Sequence, residues 1–314
     1  QHAAIDIATR TTSVAAAGFD FTEIDELGFA TTAATVASAA GRLRRNGSNL
    51  TWHDGTGGQS LMLLGQHYIG GLELTNSASD ATNDIIVATG VAVDATNSTL
   101  MRLTAALDKQ VDSAWVVGAA TGGLDTGSIN NTTLITYHLH LVERPDTGVV
   151  DALFSTSASA PVMPTNYTLR RRIGSVIRET VFFPFTQYDD QFHLNTIILD
   201  VTATNETTVA ITRTLTVPVG INVIAEGVVQ VVASTGAAAL LISDLAETNQ
   251  APGAATGLGS ITVAPAGSQI GAYFCCRTNT SAQVRTRRQI SGTGEITRIS
   301  TRGWIDVRGK GGGL

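Results

Sequence analysis

Cysteine is nearly absent: Cys275 and Cys276, adjacent in sequence, are the only two in 314 residues. That excludes a disulfide-rich scaffold and any four-thiolate zinc or iron–sulfur centre. Lysine occurs only at Lys109 and Lys310, so nearly all positive charge is arginine, which favours bidentate and stacked contacts over loose solvation. Charged residues make up 15%, and 20 basic against 26 acidic side chains leave a net charge of -6. Neither nucleic acid nor an anionic membrane is an expected partner for such a balance. Aromatic residues are 5%, and Trp52, Trp115 and Trp304 are scattered, so no stacking platform for a sugar is legible. Apolar runs such as Ala237 to Ile242, or Val228 to Val232 with its single Gln230, fall far short of the roughly 18 residues of a membrane helix. No basic-then-apolar leader is legible at the N-terminus, so no secretion address is expected, and Asn-x-Ser/Thr sequons such as those at Asn97, Asn131, Asn166, Asn205 and Asn279 read as composition. Gly-x-Ser-x-Gly, Gly-Lys-Ser/Thr and His-Glu-x-x-His are all missing, so no catalytic residue, cofactor or metal ligand is assigned and the chain is not expected to be an enzyme.

What is abundant is threonine, glycine and apolar residues: 44 Thr, 32 Gly and 43% hydrophobic content. This is the composition of a β-rich, turn-dense, weakly charged protein with enough apolar mass for real cores. Short segments of about 4 to 10 residues between turn signals recur from Asn83 onward, at Ile85 to Ala88, Leu100 to Leu103, Ala114 to Gly118, Thr133 to Val142, Val149 to Phe154, Ile173 to Ile177 and Gln191 to Leu199. Beyond Asp200 the alternation of Thr202 to Val217, then Ile221 to Val232, Ala238 to Ser243, Gln269 to Arg277, Gln283 to Gln289, Glu295 to Ser300 and Trp304 to Val307, continues the pattern. The fold class expected is mainly β, with antiparallel β-sandwich or jelly-roll-like domains behind a mostly irregular, partly helical N-terminal arm. The helix is placed over Thr31 to Leu43, ahead of Asn46-Gly47. Three regions follow: an attachment or assembly segment at 1–75, a β-sandwich domain at 76–200 and a second at 201–314. Phe19, Phe21, Ile24 and Phe29 form an apolar arm suited to lie on a neighbouring subunit.

Several constellations are weighed for chemistry. Asp125-Thr126-Gly127 and Asp146-Thr147-Gly148 match the aspartic-protease tripeptide, but Asp-x-Gly is ordinary turn chemistry and the second follows Glu143-Arg144-Pro145 instead of an apolar strand. His138 and His140 lie two apart, on one face of a strand, a spacing a metal can bridge; no third ligand accompanies them, and alternation with Leu139 and Leu141 suits a strand with one polar face. Asp189-Asp190 reads as a solvated turn before it reads as a glycosidase pair. Arg170 and Arg172 share a strand face, as do Arg285 and Arg287: each pair is either a solvated face with carboxylate neighbours or a seam against an acidic neighbouring subunit. Strand alternation sends Cys275 and Cys276 to opposite faces, so one thiol can be buried while the other is free for an intersubunit disulfide.

One long stretch carries a resemblance. Ala152-Leu153-Phe154-Ser155-Thr156-Ser157, a loop with Pro161, Pro164 and Tyr167-Thr168, then Arg170-Arg171-Arg172-Ile173-Gly174-Ser175 and Phe185-Thr186-Gln187, resembles a segment of tailed-phage virion proteins of the tail-fibre, collar and appendage type. Asp84-Ile85, Thr136-Tyr137-His138 and Thr301-Arg302-Gly303-Trp304-Ile305-Asp306 fit the same pattern, which covers about residues 80 to 308, and the adjacent cysteines depart from it. The resemblance implies a structural component of a virion, in a neck, collar or tail appendage, assembled in the bacterial cytoplasm. Its expected partners are other copies of itself, as a trimer or larger ring, and other virion proteins of capsid, neck or tail. The alternative it leaves open is a receptor-binding fibre or spike that recognises a host surface glycan.

Overall fold

A computed structural model describes residues 66–310 other than 130, 235, 254–256, 258, 264 and 265, together with strand backbone at 42–46, 49–53 and 58–60. The chain divides into two compact units, 1–65 and 66–314. In the first, β1 (Arg42–Asn46), β2 (Asn49–His53) and β3 (Gly58–Ser60) pair antiparallel in chain order. The helix expected over Thr31 to Leu43 lies mostly outside the described residues, and its last two positions, Arg42 and Leu43, belong to β1. Phe19, Phe21, Ile24 and Phe29 also lie outside them.

The second unit is mainly β, and no helix occurs among its described residues. Its seven-stranded sheet runs β13 (Leu169–Arg178), β11 (Ile135–Arg144), β12 (Val149–Ser155), β10 (Thr121–Leu124), β9 (Leu107–Ala114), β6 (Asp84–Val87), β5 (Leu74–Asn76). A three-stranded sheet holds β4 (Ile69–Gly71), β7 (Gly90–Val93) and β8 (Leu100–Leu103). The five-stranded sheet runs β14 (Phe185–Tyr188), β15 (Gln191–Thr204), β22 (Ile296–Ile305), β17 (Ile224–Val232), β20 (Gln269–Arg277). A four-stranded sheet runs β16 (Ile211–Thr214), β21 (Gln283–Arg288), β18 (Ala238–Ser243), β19 (Ile261–Val263). The boundary expected near residue 200 falls within β15, and one apolar cluster reaches from Ile69 to Trp304, with Tyr137, Phe154 and Phe182 in mutual contact and Phe192 stacked on Trp304 at 5.5 Å.

Local chemistry explains the hairpins. β11 and β12 pair in register from His138 opposite Ser155 to Arg144 opposite Val149, and Pro145-Asp146-Thr147-Gly148 closes them. Gly148 takes φ 69° and its N–H donates to the Arg144 carbonyl at 2.8 Å, a geometry that L side chains resist. Among the described residues pairing is antiparallel except at β10, which lies parallel to both β9 and β12.

Between β9 and β10 only residues 115–120 make the crossover, against the dozen or more that parallel neighbours usually need. Two features permit it. A Cβ on Gly122 would stand 2.0 Å from the Ala114 carbonyl oxygen, so only glycine allows the strands this close. Lys109, fully buried, donates to the Val116 and Gly118 carbonyls at 2.7 and 3.0 Å and to Thr121 Oγ1 at 3.0 Å while pairing with Asp151 at 3.1 Å. The strand expected at Ala114 to Gly118 is therefore displaced: its residues form this tight connection, and the strand is Leu107–Ala114.

Candidate functional site: a weakly charged sheet face and an arginine-lined pocket

The five-stranded sheet is strongly two-faced. β17 alternates so that Ala225, Val229 and Val231 are buried while Glu226, Val228, Gln230 and Val232 face outward. Residues directly opposite across a ladder share a face, and the register lines up Leu199, Ser300, Val228 and Tyr273 as one outward row. Thr202, Arg298, Gln230 and Gly271 form the next, then Thr204, Ile296, Val232 and Gln269. Tyr273 is 72% exposed and Leu199 58%.

The few charges on this face are tied to neutral or local partners. Arg298 donates to Gln230 Oε1 at 2.7 Å, Glu226 accepts from Gln191 Nε2 at 2.7 Å, and Arg302, set on a bulge of β22, donates to the Tyr273 hydroxyl and lies over its ring. The face thus presents exposed Tyr273 and Leu199 among mostly uncharged polar neighbours.

Cys275 is exposed and stands at the edge of this face, opposite Glu226, while Cys276 is buried on the inner side. Burial pushes the Cys276 thiol up to about 12, leaving it inert. Partial burial and the neighbouring Glu226 carboxylate also raise Cys275, which disfavours its thiolate without removing it from solvent.

The arginine pairs separate into different roles. Arg285 and Arg287 lie half-buried on one face of β21. Arg285 donates to the Glu247 and Leu245 carbonyls, both at 2.9 Å, and Arg287 to the Thr208 carbonyl at 3.0 Å; they fasten loops, with no carboxylate partner among the described residues. Arg170 and Arg172 lie on β13, the edge strand of the seven-stranded sheet. Arg172 is buried and forks onto Asp306, Nη2 to Oδ1 at 2.9 Å, with Nη1 also donating to Ser175 Oγ at 3.0 Å. Burial alone would raise the Asp306 carboxyl, but the Arg172 charge and the Arg308 N–H outweigh it and hold it low.

Arg308 reaches the other way, to Asp190 at 2.9 Å and Asp189 at 3.0 Å, with Lys310 on Asp189 at 2.7 Å. The Asp189-Asp190 pair thus occupies the β14–β15 turn, Asp189 at φ 51°, and clasps the end of the chain. Arg170, Arg171, Arg172 and Arg308 together line a pocket of about 130 Å³, with His140 in its wall. In the sequence Arg171 stands out only as a member of the basic run 170–172, and nothing local marks Arg308 as its neighbour.

His138 and His140 do not form a polar face. β11 is buried on both sides, so each imidazole takes a single local partner, Ser175 Oγ at 2.8 Å for His138 and the Ser157 carbonyl at 3.0 Å for His140. Burial, reinforced by the Arg172 charge, lowers His138 to about 4, and burial lowers His140 to about 3. Both titrate near 6.5 in an unfolded chain, so below that pH the unfolded state binds protons that the fold refuses, and stability falls as pH drops through this window. Asp84 acts in the opposite sense, since burial and the nearby Asp108, Asp80 and Asp112 raise it to about 6. Two histidines outweigh one carboxyl, so urea unfolding at pH 5 is expected to show about 2 kcal/mol less stability than at pH 7. Equal stability at the two values would contradict the buried neutral imidazoles.

The remaining candidates are locally occupied. Asp146 pairs with Arg144 at 2.7 Å, and Asp125 accepts from the Val162 N–H at 2.9 Å. Among the described residues no group of three or more His, Cys, Asp or Glu side chains is placed to hold a metal. Trp304 is buried, and Trp115 meets Tyr167 edge-on at 5.0 Å.

No protein-family model matches the chain, and no curated protein does. Among solved structures, that of the infectious bursal disease virus Gx strain aligns over 77% of this chain and 71% of that chain at 11% identity, with a TM-score of 0.15, too low to carry an argument.

Proposed function

We propose that the chain is a non-enzymatic structural subunit of a tailed-phage virion, in a neck, collar or tail appendage, that self-associates through the outer face of its five-stranded sheet. The observation that carries this reading is that face: cross-strand rows containing Leu199, Val228, Ile296, Val232 and Tyr273, with its few charges satisfied internally. Apolar surface of this kind is stabilised by removal from water, and with 15% charged residues the chain has little to keep copies apart. The sheets are read as sandwich layers of the jelly-roll type around the shared core. Attachment to neighbouring virion proteins is assigned to the N-terminal segment with Phe19, Phe21, Ile24 and Phe29. The resemblance of the segment from Ala152 to Gln187 to phage appendage proteins supports the choice of particle.

Cys275 provides the test. Because it stands at the edge of the associating face, mild oxidation of the assembled protein is expected to give a covalent dimer on a non-reducing denaturing gel. The Cys276→Ser variant should give the same band and Cys275→Ser none. Monomer in all three lanes would remove the sheet face from the interface.

A further inference from the structure

One edge of the five-stranded sheet is left open among the described residues. The other edge, β14, is covered: Gln187 Oε1 accepts the Leu74 N–H at 2.7 Å, and Asn76 Oδ1 accepts the Phe185 N–H at 3.1 Å. β20 pairs only with β17, over nine residues and without a shift of register. The Thr278 N–H donates to the Val223 carbonyl and the Ala233 N–H to the Ser268 carbonyl, so the even-numbered positions of this ladder turn their backbone groups toward β17. By alternation Gly271, Tyr273, Cys275 and Arg277 turn theirs away. Among the described residues Gly271, Tyr273 and Cys275 find no backbone partner on that side, and the Arg277 carbonyl meets only the Cys276 thiol at 3.7 Å. Folded proteins guard such edges with lysine, proline, a bulge or shortness, and β20 has none of these.

The side chains along this edge are complementary to a second copy of themselves. Two charges flank the exposed Cys275. Glu226, opposite it on β17, accepts from Gln191 Nε2 and the Cys275 thiol and has no cationic partner among the described residues. The exposed Arg277 guanidinium has no partner among them either. A two-fold axis through Cys275 sets the second copy's β20 antiparallel to the first. Cys275 then faces Cys275, each Tyr273 faces the other copy's Arg277, and each Arg277 extends diagonally toward the other copy's Glu226. The open backbone groups of Tyr273, Cys275 and Arg277 are all used, two hydrogen bonds to a pair. A register with Tyr273 opposite Tyr273 makes a longer ladder, but it sets Arg277 against Gln269 and leaves both charges unmatched.

We propose that β20 pairs antiparallel with β20 of a second copy, centred on Cys275, so that two five-stranded sheets become one. The pairing rests on the self-association read above and names the strand at one of its seams. Such a seam is too small to hold two chains alone at micromolar concentration, and it closes between copies that the sheet face has gathered, where the effective concentration is high. Opposite residues of a hydrogen-bonded antiparallel pair have Cα atoms about 5.5 Å apart, inside the roughly 4.4–6.8 Å that a disulfide spans.

The test mixes full-length Arg277→Glu and Glu226→Arg chains at physiological salt and oxidises them with glutathione disulfide. Two Cys275 thiols give up two protons and two electrons, and the oxidant leaves as two glutathione thiols. Both substitutions lie on the outer face, away from the core. Like charges meet across the axis in either self-linked dimer and opposite charges in the mixed one. Mass spectrometry is therefore expected to show the mixed dimer forming at least tenfold faster than the geometric mean of the two self-linked dimers, a comparison that cancels each thiol's own reactivity. In the assembled parent, amide exchange at Tyr273, Cys275 and Arg277 is expected to be at least tenfold slower than in dissociated Val228→Glu. A parent that assembles without this protection, or a mixed dimer formed at the geometric mean, overturns the strand pairing and spares the sheet face. Preferential mixed linkage in a parent that sediments as one chain keeps the pairing and removes the face, and a single chain with neither effect removes both.

Discussion

Replacing Asp306 by asparagine is expected to destabilise the second unit by about 3–5 kcal/mol, the usual cost of leaving one member of a buried ion pair without its partner. For a unit of this size that corresponds to a melting temperature lower by about 10 °C. Asp306 sits at the junction between β13 and the C-terminal end of β22. It accepts from both terminal nitrogens of Arg172 and from the Arg308 N–H at 2.8 Å, so its loss leaves the Arg172 guanidinium charged and dry and frees the segment that Asp189 and Asp190 clasp. The double variant Arg172→Met, Asp306→Leu should recover much of the loss, because it removes both charges and their desolvation together. Scanning calorimetry of the three proteins decides the matter. An Asp306→Asn variant within about 1 kcal/mol of the parent would mean that the pair is solvated and does not join these elements.

The second large effect concerns association. Val228 lies at the middle of the outward row, between Ser300 and Tyr273, half-buried in the free chain. In a Val228→Glu variant a carboxylate meets apolar surface of the facing copy, where an unpaired charge costs several kcal/mol, and association is expected to weaken at least a hundredfold, about 3 kcal/mol. In the isolated chain the same side chain reaches water, so the melting temperature of the dissociated form should move little. A matched Val229→Glu variant, whose carboxylate enters the core, is expected to unfold the unit outright. The contrast separates loss of an interface from loss of a fold.

Much of the architecture is legible in the sequence wherever one side of a strand is wet and turns are marked. β17 shows clean alternation, Gln269 to Arg277 is bounded as the strand itself is, and Pro145 to Gly148 announces the β11–β12 hairpin. Strands buried on both sides are harder to read for their chemistry. β11 carries two histidines at 0% and 1% exposure, and nothing local tells that both imidazoles are buried against Ser175 and Ser157. β9 hides for a related reason: Asp108, Lys109, Gln110 and Asp112 look like a solvated stretch, but Lys109 is buried by an Asp151 that pairs from another strand. The expected break between Glu295 to Ser300 and Trp304 to Val307 is likewise a single strand, β22, with bulges that its neighbours impose. The pocket is the extreme case, since Arg172 finds its partner 134 positions away and only the folded register places Arg308 beside Arg171. The alternation of the two cysteines, by contrast, follows from strand geometry alone.

Self-association is proposed to run through the outer face of the five-stranded sheet. Sedimentation equilibrium of the full chain at micromolar concentration measures that most directly. The predicted result is a mass of three or more subunits for the parent protein and of one subunit for Val228→Glu under the same conditions. A parent protein that sediments as a single chain, or a Val228→Glu variant that keeps the parent's assembled mass, would contradict it.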